Sequence, residues 1–562
     1  MQNAQKKLKV LMVSEASFLS SGFGTYAKEI LSRLHATKKY DIAEFACYGK
    51  VNDPKDNQIH WKYYANAVES NDPRSQEYNS SMENQFGRWR FERVLLDFKP
   101  DVVIDVRDYW MNSYQQFSPY RPYFHWTLMP TVDSAPQQED WIDTFLHADA
   151  VFTYSDFGRD TLLSQSNNHI KYIATTSPGV NLETFQYFDQ DHRSQLRNAF
   201  GIDKDAFIIG SVMRNQKRKL IPELMVAVKE FIGKLQKENH PQADKVFLYL
   251  HTSYPDAGWD IPHLLKEYEI GNRVLFTYSC KNCKLYRPSL YQHPLAYCPR
   301  CGQKSLATPN VSNGITQSEL NNIYNLFDIY VQYAICEGFG MPQVEAGASG
   351  VPIASVDYSA MNDIIVKLKA YPIKISQYFK ELETKATRVY PDNNSLIEIL
   401  LQYIHTPKLL QEQKRFETRK LTEHNYNWDD ISRKWEAYLD NINLTGLQGK
   451  WDNSLPPIPL IAKTELSNEG TAYQNIMRVV SQRMGGHQIA SSTVLLNIIR
   501  DLNYGFTSSG LQTMPYEIDQ AINTINGVIQ NHNLAMEALA NQQSLNREDF
   551  IDYATMKERV SE

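Results

Sequence analysis

Glu337-Gly338-Phe339-Gly340-Met341-Pro342-Gln343-Val344-Glu345 sets two carboxylates eight positions apart, with two glycines and a proline between them. The run before it, Phe327-Asp328-Ile329-Tyr330-Val331-Gln332-Tyr333, reads as a buried strand, and Pro342 onward to Ser349 reads as the first turns of a helix. A strand that breaks into glycines and opens a helix behind a proline leaves backbone N–H groups free at the turn, which suits a phosphate. Two acids beside a phosphate site make sense when the ligand also carries hydroxyls. A nucleoside diphosphate sugar offers them on its ribose and its hexose, so this stretch suggests a sugar nucleotide.

Working outward, strand and helix signals alternate on both sides. Upstream, a strand at 207–212 runs into Met213-Arg214-Asn215-Gln216-Lys217-Arg218-Lys219, and Pro222 then opens a helix to 235. Four cations at the carboxyl end of a parallel strand make a second anion site, where open α/β sheets bind their ligands. Strands at 246–251, 273–278 and 351–355 and helices at 318–326, 395–405 and 428–440 complete this half. The amino-terminal half has the same grammar. A strand at 8–13 leads through Ser20-Ser21-Gly22-Phe23-Gly24-Thr25 into a helix at 26–35, and Gly22 and Gly24 would let backbone approach a ligand. Buried strands follow at 100–106, 122–127 and 148–154, with Ser155 as N-cap of a helix at 157–163. The expected fold is α/β with two doubly wound parallel sheets, and the polar stretch at 185–206 marks the boundary between them.

Cys280-Lys281-Asn282-Cys283 and Cys298-Pro299-Arg300-Cys301 interrupt the second half and enclose fourteen residues. Two such knuckles give the tetrahedral four-sulfur site that zinc prefers, so Cys280, Cys283, Cys298 and Cys301 are expected to hold a closed, structural Zn2+. Lys281, Lys284, Arg287, Arg300 and Lys304 fall between Cys280 and Thr308 with no acidic residue, interleaved with Tyr286, Tyr291, His293 and Tyr297. Cations with aromatic surfaces suit single-stranded nucleic acid. They equally suit the anionic zinc-tetrathiolate core.

The whole chain of 562 residues carries 58 basic and 64 acidic residues, a formal charge of -6, which gives no global case for nucleic acid or an anionic membrane. The apolar run 8–13 is too short for a signal peptide or membrane span, and the expected location is the cytoplasm. The length divides into an acceptor-side domain at 1–200, a donor-binding domain at 201–450 with the ribbon at 279–308 inside it, and an extension at 451–562. That extension opens on a linker, Pro456-Pro457-Ile458-Pro459, and then reads as helical at 474–483, 490–502 and 516–540. With 7 basic and 12 acidic residues it is a poor grip for nucleic acid and reads as a docking or oligomerisation module.

With these residues in view, the chain resembles the GT-B glycosyltransferases of the retaining family-four (group 1) type over about residues 8–442. Glu337 and Glu345 match the family's E-x7-E motif, Arg214 to Lys219 its diphosphate clamp, and Ser21 to Gly24 its amino-terminal glycine loop. The resemblance implies two Rossmann-like domains facing a cleft and a hexosyltransferase using a UDP- or GDP-linked sugar without a catalytic metal. It implies that Glu345 holds the ribose hydroxyls and Glu337 a hydroxyl of the transferred sugar. Arg214 and Lys219, with Asn215, Arg218 and the backbone of Gly338, Phe339, Gly340, Met341 and Pro342, would hold the diphosphate. His125 and Asp133, read at the carboxyl end of an amino-domain strand, would face the acceptor and the sugar. The ribbon departs from the family, filling a loop near the nucleotide base, where it is expected to wall the base pocket or hold a large acceptor. Three classes remain open: transfer to a small molecule, lipid or glycan; transfer to a modified base or sugar in nucleic acid; and a non-enzymatic sugar-nucleotide-binding scaffold.

Overall fold

The structure, a computed structural model, describes residues 7–53, 59–292, 295–310, 313–454, 457–463, 515–541 and 550–552. The amino-terminal strands are β1 (Leu8–Glu15), β2 (Tyr40–Cys47), β3 (Lys62–Ala65), β4 (Val102–Asp105), β5 (His125–Leu128), β6 (Ala150–Thr153) and β7 (Ile173–Thr175). They pair in parallel in the order β3-β2-β1-β4-β5-β6-β7. Their runs of buried residues fit a sheet covered on both faces.

The carboxy-terminal half contributes β8 (Phe207–Val212), β9 (Val246–His251), β10 (Val274–Cys280), β11 (Tyr286–Leu290), β12 (Ala296–Tyr297), β13 (Lys304–Ala307), β14 (Ile329–Gln332), β15 (Ile353–Val356) and β16 (Tyr371–Ile373). The strand order is β12-β13-β10-β9-β8-β14-β15-β16, with β11 antiparallel on β10. A separate hairpin, β17 (Ile375–Lys380) with β18 (Thr387–Pro391), follows β16.

The stretch read as loose at 185–206 contains a helix, Gln190–Ala199, capped by the Asp189 carboxylate on the His192 amide at 2.9 Å. Its buried face consists of Arg193 and Arg197, which hid it from an apolar periodicity. Both arginines donate at 2.9 Å to Asp328, which also accepts from the Ile208 amide at 2.8 Å. The linker helix is thereby tied to the first strand of the second sheet. The helix Trp428–Asn441 returns to the amino-terminal domain, where Trp435 Nε1 donates to the Tyr26 hydroxyl at 2.8 Å.

The extension packs on its own chain. Trp451 Nε1 donates to the Pro100 carbonyl at 2.9 Å, and the helix Pro515–Ala540 receives the Tyr120 hydroxyl on the Ala535 carbonyl at 2.6 Å. The segment read as a linker lies along that helix, with Asn533 and Asn526 bonded to both backbone groups of Ile458 and Ile461. Backbone β19 (Phe550–Asp552) pairs antiparallel with β3. The helices read at 474–483 and 490–502 lie outside the described residues. Among the described residues, no helix is long and apolar enough to cross a membrane.

Burial alone would raise the Asp328 carboxyl, but Arg197 and Arg193 outweigh it and hold it below the usual carboxylate range. Asp328→Asn leaves Arg197 without its carboxylate and Arg193 with only Glu412, at 3.5 Å, and should cost about 3–5 kcal/mol in denaturant unfolding. Because the folded value is depressed, the wild-type contribution is complete above about pH 3.9 and fades as the pH falls further, which a stability profile of the two proteins would show.

Candidate functional site

Strands β8 and β14 run side by side with Ile209 opposite Ile329 and Gly210 opposite Tyr330, so the turns that follow them meet. A Cβ at Gly210 would lie 2.0 Å from the Phe327 ring, so this register requires glycine there. The Ile335 amide donates to the Arg218 carbonyl at 3.0 Å, and Lys219 bridges Ala334 through backbone.

The side chains of the two turns converge on Glu337, which is buried. Its Oε2 accepts from Arg218 Nη1 at 2.9 Å, its Oε1 accepts from Gln332 Nε2 at 2.6 Å, and Lys219 Nζ meets the same oxygen. Its amide donates to Ser359 Oγ at 3.0 Å. Burial pushes the Lys219 ammonium well below its ordinary value and Arg218 adds to this, while Cys336 opposes both.

The other residues of the cationic turn go elsewhere. Arg214 is exposed and forks onto Asp256 at 3.0 and 3.1 Å, which lowers the Asp256 carboxyl to about 2. Asn215 corrects the expectation of a donor contact. It is fully buried, and both its amide atoms are taken by the backbone of Trp259 at 2.8 Å, so it fixes the turn.

The glycine turn opens the helix Met341–Ala348 with Gly340 at φ +90° and Pro342 in the first turn. The amides of Gly338, Phe339, Gly340 and Met341 donate to no protein acceptor among the described residues. Phe339 packs edge-on against Tyr426 at 5.6 Å. Glu345, one helical turn in, accepts from the Tyr324 hydroxyl at 2.7 Å, and burial pushes its carboxyl up to about 7 despite that bond. The two glutamates thus differ, one compensated by cations and the other by a single phenol.

From the amino-terminal domain, Ser21 caps the helix Gly22–Thr37 by accepting from the Gly24 amide at 3.1 Å. A Cβ at Gly24 would lie 2.7 Å from the carbonyls of Ala16 and Leu19, whereas one at Gly22 meets nothing within 4 Å. Gly24 is needed for packing and Gly22 leaves open space. Asp133 accepts from Arg388 Nη1 at 2.8 Å and from the Cys336 thiol at 3.3 Å, so it reaches the residue before Glu337. His125 is a second correction. It is the first residue of β5, at the amino end away from the turns, and its Nε2 meets the Tyr438 hydroxyl at 2.7 Å.

Sequence reasoning missed Asp108, Thr131 and Arg388. Asp108 follows β4 by three residues, and burial pushes its carboxyl up to about 6, with the neighbouring Arg218 opposing. A carboxylate just past a parallel strand was a usable signal. Arg388 sits in a hairpin about fifty residues from Glu337, where no motif marks it.

No protein-family model and no curated protein sequence matches the chain. Solved structures do match. Sucrose-phosphate synthase from Thermosynechococcus elongatus superposes with a TM-score of 0.55 at 16% identity, covering 77% of this chain and 98% of its own. HepE from Anabaena, in complex with UDP and glucose, gives 0.52 at 11% identity over 77% and 100%. The E. coli trehalose-6-phosphate protein bound with UDP-2-fluoro glucose gives 0.52 at 14% over 77% and 99%. The fold is that of the GT-B glycosyltransferases. In that fold the turns after β8 and β14 belong to one domain, and Gly22, Asp108, Thr131 and Asp133 to the other. Their approach is close, since a Cβ at Gly338 would lie 2.2 Å from Thr131 Cγ2.

The ribbon grows from the end of β10. Its four cysteine sulfurs lie within 4.8 Å of one another, with Cys280 and Cys301 3.7 Å apart and Cys283 and Cys298 3.6 Å apart. Tetrahedral zinc with bonds of about 2.3 Å places its sulfurs about 3.8 Å apart, so these four fit that ion. The ribbon then holds the loop before it: Thr308 Oγ1 accepts from the Tyr254 amide at 3.0 Å and donates to the Tyr254 carbonyl at 2.9 Å. That loop carries Asp256. Lys281, Lys284, Arg300 and Lys304 are exposed and make no ion pair among the described residues, and Tyr297 is 71% exposed beside them.

The purified protein should carry about one zinc per chain by elemental analysis. A strong chelator, or Cys298→Ser, should lower the melting temperature, and added zinc should restore it after chelation.

Proposed function

We propose that the chain is a nucleotide-sugar-dependent glycosyltransferase that transfers a hexosyl group with retention, residues 1–200 forming the acceptor side and 201–450 the donor side. The reading is carried by one arrangement: Glu337, charge-paired with Arg218 and Lys219, stands beside four amides at 338–341 that meet no acceptor among the described residues, and these open the helix that carries Glu345 one turn in. The UDP and UDP-glucose complexes of HepE, which has the same fold, support a UDP-linked donor.

In this reading the amides at 338–341, Lys219 and Arg218 hold the diphosphate, and Arg214 exchanges Asp256 for a phosphate oxygen. Glu345 accepts from the ribose hydroxyls and Glu337 from a hydroxyl of the hexose. The bond from the anomeric carbon to the β-phosphate oxygen breaks, negative charge gathers on the leaving diphosphate, and fixed cations and dipoles stabilise it there. A hydroxyl oxygen of the acceptor bonds to the anomeric carbon on the same face, and its proton passes to the leaving phosphate. Zinc held by Cys280, Cys283, Cys298 and Cys301 would fix the ribbon and take no part in these steps. The free cations of the ribbon favour a second reading, in which the acceptor lies in nucleic acid. Salt-sensitive DNA or RNA binding that is lost on charge reversal of Lys281, Lys284 and Arg300 would support it.

A panel of nucleotide sugars, followed by donor hydrolysis and thermal shift, tests the proposal. Lys219→Met should lower kcat/KM by about 10²- to 10³-fold, in line with removal of one group that stabilises developing charge. Undiminished donor binding and turnover in Glu345→Ala would refute the site. A finer test uses pH. Glu345 must be ionised to accept two hydroxyls, and its value lies at about 7. UDP affinity should therefore rise as the pH increases through 7, and calorimetric titration should find that rise absent in Glu345→Gln. The same raised value means that ionising Glu345 costs stability, fully relieved below about pH 4.3 and fully present above 7.

A further inference from the structure

A cavity of about 90 Å3 lies between the amino-domain residues and the β17–β18 hairpin, lined among others by Asp108, Trp110, Thr131, Asp133, Gln137 and Arg388. It adjoins the site. Arg388 Nη1 reaches both Asp133, at 2.8 Å, and the sulfur of Cys336, at 2.9 Å, and Cys336 precedes Glu337.

Its chemistry is selective. Arg388 is the one cation on its wall and is already matched by Asp133 and Glu381, which leaves Asp108 as an acid without a paired cation in the cavity. An anionic ligand would meet net negative charge. Gln137 is 6% exposed and its Oε1 is buried without a hydrogen-bond partner. Its Nε2 donates to the Ser134 carbonyl at 2.6 Å, which fixes the orientation of the amide. A buried acceptor left open in this way calls for a hydroxyl or amine donor. Trp110 is 51% exposed with its ring 6.1 Å from that of Trp141, giving an apolar surface next to carboxylates and an amide oxygen. Aromatic face beside hydroxyl acceptors is the combination that fits a sugar ring, whose C–H bonds lie on one face and whose O–H groups lie around its edge.

Topology separates this cavity from the ribbon. In the order β10-β9-β8-β14-β15-β16 the ribbon leaves from β10 and the hairpin follows β16, on opposite sides of the β8 and β14 turns. The ribbon cations therefore lie on one flank of the proposed donor site and the cavity on the other.

We propose that this cavity receives the hydroxylated edge of an uncharged sugar unit at the end of the acceptor, with Asp108, Asp133 and Gln137 accepting from its hydroxyls and Trp110 covering its apolar face. The inference rests on the donor reading above and names the acceptor class of that site. The sugar hydroxyl turned toward Glu337 is the one that bonds to the anomeric carbon as the phosphate bond breaks, its proton leaving with the diphosphate.

The test is a transfer assay with the full chain, the donor sugar identified by hydrolysis, and three acceptor sets: uncharged mono- and oligosaccharide glycosides, sugar phosphates, and single-stranded DNA carrying hydroxymethylated bases. Calorimetric binding of UDP and GDP runs in parallel. We expect transfer to an uncharged glycoside, and at least a tenfold rise in acceptor KM in Trp110→Ala and in Gln137→Leu with the wild-type diphosphate affinity kept. Transfer confined to the phosphorylated or DNA acceptors, transfer to none of the three with diphosphate binding intact, or an unchanged acceptor KM in both variants would overturn the acceptor assignment alone. Absence of any diphosphate binding by the wild-type protein would instead overturn the donor reading, and this inference with it.

Discussion

The buried carboxylate of Glu337 is the constraint around which the carboxy-terminal half is arranged. An ionised carboxylate removed from water is costly unless charges and hydrogen bonds surround it. Here Arg218, Lys219 and Gln332 supply them, and they must be delivered from two neighbouring strands, Gln332 being the last residue of β14. Arg218 and Lys219 come from the turn after β8, which requires β8 and β14 to end level. That in turn requires Gly210, because any larger residue would collide with Phe327. Asp328, two residues before the partner of Gly210, is anchored by Arg193 and Arg197 and fixes the start of the same strand. The polar chain from the linker helix to Glu337 thus sets a register that hydrophobic packing alone would leave free to slip.

The two glutamates of the opening stretch illustrate how one motif can contain two kinds of acid. Glu337 is surrounded by Arg218, Lys219 and Gln332, whereas Glu345, with one phenolic partner, sits near its midpoint at neutral pH. A ligand whose ribose hydroxyls replaced the water around Glu345 would draw the carboxylate form, so binding and proton release are coupled at that residue. Lys219 has the converse property. It is buried beside Glu337 and its ammonium is pushed well below its ordinary value, so an arriving diphosphate would meet an amine already out of water, where a charge contact is stronger than in bulk solvent.

Much of this was legible from residue order. The run at 207–212, the one at 246–251 and the helix at 428–440 were placed within a residue or so because apolar runs and caps coincide there. The four cysteines announced their cluster through spacing alone. What escaped had identifiable causes. The helix Gln190–Ala199 buries arginines, so no apolar stripe marks it. In the hairpin, β17 is largely exposed and β18 buries Arg388 next to Val389, so neither strand shows a clean apolar alternation, although the hairpin brings Arg388 to the site. His125 was misjudged because the strand at 122–127 begins only at His125, after a short 3-10 turn at Arg121–Tyr123. A shift of three residues moved it from one end of the sheet to the other. Asn215 was read by its position in a cationic turn, whereas its amide is used wholly by backbone 44 residues away.

The ribbon acquires a role through what it touches. Thr308 clasps both backbone groups of Tyr254, and two residues later Asp256 holds Arg214 with a forked pair. Arg214 pairs with Asp256 and not with Glu337, and its position is set by a loop that the ribbon fixes. Loss of the metal would leave the ribbon without its cross-link, since three short strand pairs and a small core are little to hold some thirty residues. The effect would travel by contiguous contacts, from the thiolates through Thr308 to Tyr254, Asp256 and Arg214, and would bear on the side of the cleft where the nucleotide is proposed to lie. The cavity between the amino-terminal residues and the β17–β18 hairpin, proposed above for the acceptor, is lined by none of these residues.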